Sequence, residues 1–190
     1  MDLRFVLGVL GGIITAFSVI PYVRDIMKKT TRPNSVSWSI WVLLLTISIF
    51  AQWSAGASWS IILLIGDLIG TSTIAALSFA GYGYGKYGRL EWTCLGLAIL
   101  AIISWQITSQ PIWAIVFAII ADALAAFPTL VKAFRDPRSE HPTMWLLISL
   151  GALLGIASTT IVNAANLLFP FYLFVINSTI GITTLVGRKK

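Results

Sequence analysis

Charged residues are scarce in this chain, and cysteine and histidine are scarcer still. Only 11% of its 190 residues are charged, whereas 57% are hydrophobic, and an average soluble domain is about 25% charged. This shortage argues against a water-soluble fold and places nearly all of the chain in or near a lipid bilayer. The single cysteine, Cys94, excludes an internal disulfide. One cysteine and one histidine also fall short of an ordinary zinc site, so we predict no metal and no cofactor.

Long hydrophobic runs, in contrast, fill the sequence. A membrane-spanning helix needs roughly 20 mostly apolar residues. The first run lacks a basic leader and a clear cleavage site, so we interpret it as a retained helix and not as a signal peptide. The sequence therefore predicts an all-α membrane protein with seven transmembrane helices. The seven runs are 4–23, 36–55, 59–80, 90–108, 111–131, 143–163 and 168–187.

Basic residues are distributed unevenly among the predicted loops. With the N-terminus outside, 12 of the 13 lysines and arginines fall in the inside loops or the C-terminal tail, and only Arg4 falls outside. The positive-inside rule therefore predicts an outside N-terminus and a cytoplasmic C-terminus, in a plasma or inner membrane. The net charge of +6 then reflects topology, and we predict no nucleic-acid partner. The inside segments are 24–35, 81–89, 132–142 and 188–190.

Tryptophans are expected in aromatic belts at the two membrane surfaces. Four of the eight lie near predicted inner helix ends and four near outer ends. The inner set is Trp38, Trp41, Trp92 and Trp145, and the outer set is Trp53, Trp59, Trp105 and Trp113.

Two segments of equal length resemble each other. "PYVRDIMKKTTRPNSVSW" at 21–38 and "PTLVKAFRDPRSEHPTMW" at 128–145 each begin with proline, carry a basic loop and end with tryptophan. One offset of 107 residues relates them. The alternative is that any multi-pass protein has proline and tryptophan near its helix ends. The matched pairs are Pro21 with Pro128, Lys28 with Arg135, and Trp38 with Trp145.

This offset predicts an internal repeat. Residues 1–80 form the first three-helix repeat, 81–110 an inside loop and a linker helix, and 111–190 the second repeat with a basic tail. One linker helix gives both repeats the same orientation, so the repeats are parallel. Parallel repeats of this kind occur in transporters, with the substrate site near the midplane between the halves.

The 3+1+3 pattern, with a proline near the inner end of the first helix of each repeat, resembles the SWEET and PQ-loop superfamily. Tyr22 and Thr129 stand where that family has its signature glutamine, and the second-helix runs 36–55 and 143–163 contain no proline. Relatives include sugar, amino-acid and vitamin carriers and a sorting receptor. The resemblance implies transport of a small polar metabolite without naming the substrate.

Two aspartates lie near the middle of predicted spans. Asp67 follows Trp59 by eight residues and Asp122 follows Trp113 by nine, which at 1.5 Å per residue places both carboxyls roughly mid-bilayer. An aspartate at the centre of a helix costs about 2.5–3.5 kcal/mol on insertion. Such residues usually face the bundle interior or a wet cavity, so both aspartates are candidate binding residues.

Asn177 lies at a similar depth in the last predicted helix. The family resemblance implies a substrate-binding role for Asn177, because related carriers place polar residues in the third helix of each half. Its counterpart in the first half is either Asp67 or Thr71, the latter at a shift of 106 residues.

No lysine or arginine lies in the membrane interior of any predicted helix, so the two carboxyls lack an internal counter-ion. Two functional interpretations follow. The aspartates exchange protons during a transport cycle, or they attract a cation or an amine-bearing substrate. The structural alternative is that each aspartate is protonated and only joins helices through a hydrogen bond.

Residues near the helix ends have paired interpretations. Pro21 and Pro128 are either hinges of an inner gate or simple helix terminators. Gln52, Asn163 and Asn166 either mark helix ends or line an outer vestibule.

The sequence favours a carrier that works by alternating access and is not an enzyme. The first alternative is a ligand-binding or sorting receptor on the same fold. The second is a di-aspartyl membrane protease, but the segment before Asp67 lacks one glycine of that motif and no tyrosine stands directly before Asp122. The expected partners are a small-molecule substrate, the bilayer and, for a coupled carrier, protons. Two repeats in one chain suit a monomer, and a homo-oligomer is the other possibility.

Overall fold

The computed structural model describes residues 2–29, 32–83 and 88–187. Within these residues the chain is helical, with turns and short connections between the helices, which confirms the predicted all-α class. Lys86 and the basic tail 188–190, both used in the orientation prediction, lie outside the described residues. Part of the predicted inside loop, 84–87, does so too.

Eight α-helices follow one another along the described chain. A π-helical turn, Ser78–Tyr82, extends α4, and a short 3-10 turn, Pro137–Ser139, precedes α7. The α-helices are α1 (Leu3–Ser18), α2 (Ile20–Met27), α3 (Ser35–Ser54), α4 (Ile61–Leu77), α5 (Arg89–Thr108), α6 (Pro111–Arg135), α7 (Pro142–Ala157) and α8 (Ala164–Gly187).

Five helical segments among the described residues are long and apolar enough to cross a membrane. Two shorter apolar helices correspond to the remaining two predicted runs. Composition and helix length are therefore those of a multi-pass membrane protein. The long segments are Leu3–Met27, Ser35–Ser54, Ile61–Tyr82, Pro111–Arg135 and Ala164–Gly187, and the short ones are Trp92–Thr108 and Pro142–Ala157.

The connection between the last two helices is longer than the hydrophobic runs predict. α7 ends at Ala157 instead of residue 163, and α8 begins at Ala164 instead of residue 168. Asn163 caps α8, because its Oδ1 accepts a hydrogen bond from the backbone N–H of Asn166 at 2.9 Å. At the end of α7 the Ser158 and Thr159 hydroxyls donate to the Gly155 carbonyl oxygen. Short polar side chains compete with helical hydrogen bonds in this way, and α7 ends within the predicted run 143–163.

The first span is interrupted just before Pro21. α1 ends at Ser18, and Pro21 lies in the first turn of α2. A proline has no N–H and its ring clashes with the carbonyl four residues earlier, here that of Phe17, which accepts instead from the Val19 N–H. The backbone of α6, in contrast, stays helical through residue 128. The Pro128 side chain lies outside what the structure describes.

Glycines allow α1 and α4 to pack at close range. A Cβ atom at Gly12 would lie 2.6 Å from the Ile62 carbonyl oxygen, and one at Gly66 would overlap the Gly12 carbonyl group. The Thr15 Oγ1 hydroxyl donates to the Leu63 carbonyl oxygen at 3.1 Å across the same interface. Small residues favour close helix association in lipid, where apolar side chains gain little from leaving the bilayer. The interface therefore depends on backbone contact more than on side-chain volume.

The helices pack in a definite order. In the first half of the chain both α1 and α3 pack against α4, and in the second half both α6 and α7 pack against α8. Between the halves, α1 packs against α7, and α3 packs against α6. α5 lies outside this arrangement and packs against α6 and α3. The interior is thus enclosed by α3, α4, α6, α7 and α8, with α1 behind α4 and α7.

Two apolar clusters fill the interior at different levels along the helices. Between them lie the polar side chains described below. The first cluster includes Leu44, Leu45, Leu63, Leu64, Phe169 and Leu173. The second includes Ile26, Trp38, Ile74, Met144, Trp145 and Ile180.

Candidate functional site

One cavity brings together all four residues that the sequence suggests for binding. It lies between α3, α4, α6, α7 and α8, and Asp67, Thr71, Asp122 and Asn177 all line it. About 50 Å³ is open to the centre of a water molecule, which is room for roughly four waters. In this conformation the cavity therefore has room for only a few small polar groups.

Asp67 and Thr71 enter the cavity from α4. They are one helical turn apart and so lie on the same face, which places the Thr71 hydroxyl beside the Asp67 carboxyl. Asp67 is only 6% exposed. The neighbouring glycines, Gly66 and Gly70, approach Gly12 and Val19 of the first span. This packing turns the adjacent face of α4, with its carboxyl, toward the cavity.

Asp122 enters from α6 and is held by a tyrosine of α8. The Tyr172 hydroxyl donates to Asp122 Oδ2 at 2.5 Å, a length typical of a hydrogen bond from a hydroxyl to a carboxylate. The bond joins α6 to α8 at the cavity wall. Tyr172 was not among the residues predicted from the sequence. The signal was available, because it is the only tyrosine of the run 168–187 and a buried tyrosine hydroxyl usually needs a partner.

Asn177 lies on α8 and is 5% exposed. Its Nδ2 donates to the Leu173 carbonyl oxygen one turn earlier at 2.8 Å. The next residue, Ser178, hydrogen-bonds Ser149 of α7 at 2.5 Å. The amide that faces the cavity is therefore oriented by its own helix, while its neighbour fixes that helix against α7.

Three tryptophans line the cavity, and the aromatic-belt prediction is wrong for two of them, Trp38 and Trp145, because they are buried in the bundle. Trp38 and Trp145 are 6% and 7% exposed, and Trp41 lines the cavity with them. Trp38 and Trp41 stack edge to face, with ring centroids 5.0 Å apart. The Trp145 Nε1–H donates to Glu140 Oε2 at 3.2 Å. Their positions near the helix starts resemble those of interface residues, but their indoles point into the bundle.

Other tryptophans agree with a lipid-facing position. Trp53 is 65% exposed and Trp92 is 61% exposed on the outside of the bundle.

The cavity combines acids with aromatic rings. Among its described lining residues there is no lysine, arginine or histidine. Asp67 and Asp122 are close enough for their charges to act on each other. Two carboxyls and three indoles form a surface that attracts positive charge, because indole faces also bind cations. No group of three metal-ligating side chains occurs among the described residues.

The two prolines are placed differently from the polar residues. Pro21 does not belong to the described lining of the cavity. Residue 128 follows the lining residue Ala126 by half a turn of α6. Neither position contributes a polar group to the site. Residue 128 belongs to a helix that lines the cavity, α6, whereas Pro21 belongs to α2, which is not part of the described lining.

The arrangement of the site has to be interpreted from its own chemistry. No family model, no curated protein and no solved structure matches this chain.

Proposed function

We propose that this protein is a membrane carrier that binds a small polar metabolite in the cavity and works by alternating access. The observation that carries the proposal is the convergence of Asp67, Thr71, Asp122 and Asn177, from three different helices, on one buried cavity. Polar side chains at membrane depth are costly, and they usually mark a substrate or ion pathway. Four of them on one small cavity exceed what helix association requires.

We further propose that the chain has seven transmembrane helices arranged as two parallel repeats. The packing order supports this arrangement, because exchanging the two halves leaves it unchanged: α1, α3 and α4 correspond to α6, α7 and α8. Trp38 and Trp145, related by the offset of 107 residues, both line the cavity. In this arrangement α5 is the linker, and α7 is the shortest span.

The same features support membership of the SWEET and PQ-loop superfamily as a proposal. The 3+1+3 order and the cavity between the halves fit that family's design. The signature glutamines are missing here, at Tyr22 and Thr129.

The carboxyls of Asp67 and Asp122 bear on both the chemical class of the substrate and the coupling to protons. Two carboxyls without a neighbouring cation favour either a proton or an amine-bearing substrate at the site. The tryptophan walls suit both an ammonium group and the apolar side of a polar metabolite. A neutral sugar needs the carboxyls less than an amine does. We therefore propose proton coupling or an amine-bearing substrate, with the bilayer as the protein's environment.

Uptake into vesicles tests the proposal. Purified protein in liposomes is offered a panel of labelled sugars, amino acids and amines, with and without a pH gradient. We expect saturable uptake of at least one compound. Because the Asp67→Asn variant keeps the shape and removes the charge, its uptake should fall about tenfold or more, which corresponds to about 1.4 kcal/mol or more. The Asp136→Asn variant makes the same chemical change at an exposed residue outside the cavity and should transport normally.

Three other results contradict the carrier. Wild-type protein that moves no compound under any gradient is not a carrier of this panel. Saturable binding without uptake identifies a receptor. Cleavage of a peptide in detergent, lost when either Asp67 or Asp122 is changed, identifies a di-aspartyl protease.

A further inference from the structure

A second group of buried polar side chains lies away from the cavity, toward the far ends of α3 and α8. It consists of Ser48 and Gln52 on α3, Ser60 just before α4, and Asn166 on α8, and each is 0% exposed. We call these four residues the distal polar cluster. The vestibule interpretation of the sequence included only two of them, and it did not anticipate that they are fully buried.

Most polar atoms of the distal polar cluster have no protein partner. Within the described part of the chain, no hydrogen bond reaches the hydroxyl oxygens of Ser48 and Ser60, either amide atom of Gln52, or Asn166 Oδ1. Buried polar side-chain atoms in folded proteins nearly always have at least one partner. Both ends of the Gln52 amide are in this state, so the side chain offers a donor and an acceptor together. Five such atoms lie near the ends of α3, α4 and α8 that meet the connecting loops, and each needs a hydrogen-bonding partner.

The connecting loops close over this region. Asn166 Nδ2 donates to the carbonyl oxygens of Ala55 and Ile161 at 3.4 and 3.0 Å. The Ser58 and Thr160 hydroxyls hydrogen-bond each other at 2.7 Å. The loop after α3 is thereby joined to the loop after α7, and the joined loops cover the distal polar cluster at that end of the bundle.

The distal polar cluster and the cavity share helix faces. On α3 the positions 41, 45, 48 and 52 are spaced by four, three and four residues, which places them on one face. On α8 the positions 166, 170, 173 and 177 have the same spacing. Ser60 and Asp67 on α4 are two turns apart. The rise along these helices separates the two polar regions by about 10–16 Å.

An apolar layer lies between the two regions. Leu45, Leu64 and Leu173 occupy the intermediate positions of α3, α4 and α8, and all three belong to one buried cluster. This layer separates a polar region that contains acids from one that contains only neutral groups.

We propose that Ser48, Gln52, Ser60 and Asn166 form a second binding site, which takes neutral hydrogen-bonding groups. The occupants are water molecules and, during transport, the hydroxyl or amide groups of the passing solute. The occupancy by water is independent of the carrier function. The passage of solute rests on the proposed carrier, and it makes the distal polar cluster the closed end of the path from the acidic cavity.

Cysteine accessibility tests the site without any knowledge of the substrate. The natural Cys94 is first replaced in a Cys94→Ala background, and Ser48→Cys or Gln52→Cys is added. Vesicles are treated with a small hydrophilic methanethiosulfonate reagent, which needs a hydrated thiolate, and labelling is measured by mass spectrometry. Phe50→Cys is the matched control, because it lies at the same depth of α3 but on its 53% exposed outer side.

We expect Ser48→Cys and Gln52→Cys to react at least tenfold faster than Phe50→Cys in the absence of solute. Slower labelling on addition of a transported solute shows that solute also occupies the site, and unchanged labelling shows that water is the occupant. Reaction of both inner cysteines no faster than that of Phe50→Cys overturns the passage of solute through the site, because the loops and the apolar layer then stay closed to the reagent. Absence of transport by the wild-type protein refutes the carrier, and the thermal measurement described next still tests the occupancy by water.

A thermal measurement tests whether water or another ligand occupies the site, and it does not depend on the cysteine variants folding. Gln52→Leu removes both amide atoms and keeps a similar volume. If a bound ligand satisfies the amide, the variant loses those hydrogen bonds and its Tm falls. A dry site predicts the opposite, because the substitution then removes two unpartnered polar atoms, and a raised Tm overturns the proposal.

Discussion

The Tyr172 hydroxyl donates a hydrogen bond to the Asp122 carboxyl at the cavity, and this pair joins α6 to α8 there. The 2.5 Å bond to Oδ2 orients the carboxyl of Asp122, which lines the cavity. Asp67, in contrast, has Thr71 of its own helix as its polar neighbour. The position of the Asp122 carboxyl therefore depends on how α6 and α8 are placed, whereas that of the Asp67 carboxyl does not.

The Tyr172→Phe variant tests this difference. It removes the hydroxyl and retains the ring, so Asp122 loses a donor in a buried setting. A hydrogen bond to a charged group is worth about 1.5–3 kcal/mol. We expect transport to weaken about tenfold or more and its dependence on pH to shift, because the proton then binds a carboxyl without that donor. Uptake measured as a function of pH gives the result.

The control for this variant is Tyr82→Phe, since Tyr82 is not among the described lining of the cavity. If Tyr172→Phe retains the pH profile of the wild type, the Asp122 carboxyl does not take part in coupling.

The helix pair α1 and α4 behaves as a close-packed unit. Its glycines bring one backbone against the other, whereas Gly96 on α5 has open space around its Cβ position. The glycines between α1 and α4 therefore have no room for a side chain, whereas Gly96 has.

Substitution of these glycines separates the two cases. Gly12→Ala places a methyl group against the Ile62 carbonyl oxygen and should destabilise the fold by about 1–3 kcal/mol. Gly96→Ala makes the same change in open space and should be neutral or stabilise by up to about 1 kcal/mol, since alanine favours the helix. Thermal unfolding in one detergent compares the two. Equal losses of Tm would show that α1 and α4 do not pack at this distance.

The break between α1 and α2 is the place where the first span would bend if Pro21 is a hinge. Pro21→Ala restores a backbone N–H and removes the ring that clashes with the Phe17 carbonyl. If the break is a hinge, the variant should keep or gain thermal stability and lose transport several-fold, and uptake measured together with Tm reveals this combination. Normal uptake by the variant would identify Pro21 as a helix terminator only.

The outer surface of the whole bundle is apolar. Large hydrophobic side chains are exposed on several helices, among them Phe17, Phe79 and Ile107 at 61%, 70% and 78%. Soluble monomers rarely expose contiguous apolar patches of this extent. A lipid environment explains this apolar surface. The direction in which the bundle crosses the membrane is a separate property of the whole molecule.

Orientation is tested by labelling the two ends of the bundle. With the N-terminus outside, Ser54→Cys lies near the outer surface and Arg135→Cys near the inner surface. In intact cells carrying the Cys94→Ala background, an impermeant thiol reagent should label the first and not the second. Membrane disruption should expose both, which controls for reactivity. The reverse labelling pattern would invert the predicted topology.

Scarcity of charge and seven apolar runs were enough to predict an all-α membrane protein, and depth within the runs was enough to name Asp67 and Asp122. Asn177 and Thr71 were named from the family resemblance and the repeat offset. These features are local, because insertion depends on the composition of each run. Asp67 and Asp122 stand out by depth alone, since a carboxyl at that depth is costly wherever the helix faces.

Packing decided which face of each helix points into the bundle. A span is apolar both where it meets lipid and where it meets its neighbours, so periodicity does not reveal the inner face. For that reason Trp38 and Trp145 resemble interface residues in sequence and wall the cavity in the fold. Tyr172 gained its role only when α6 met α8, and Gln52 became buried only when the loops closed over it. These are contacts between residues distant in the chain, and only the assembled bundle brings them together.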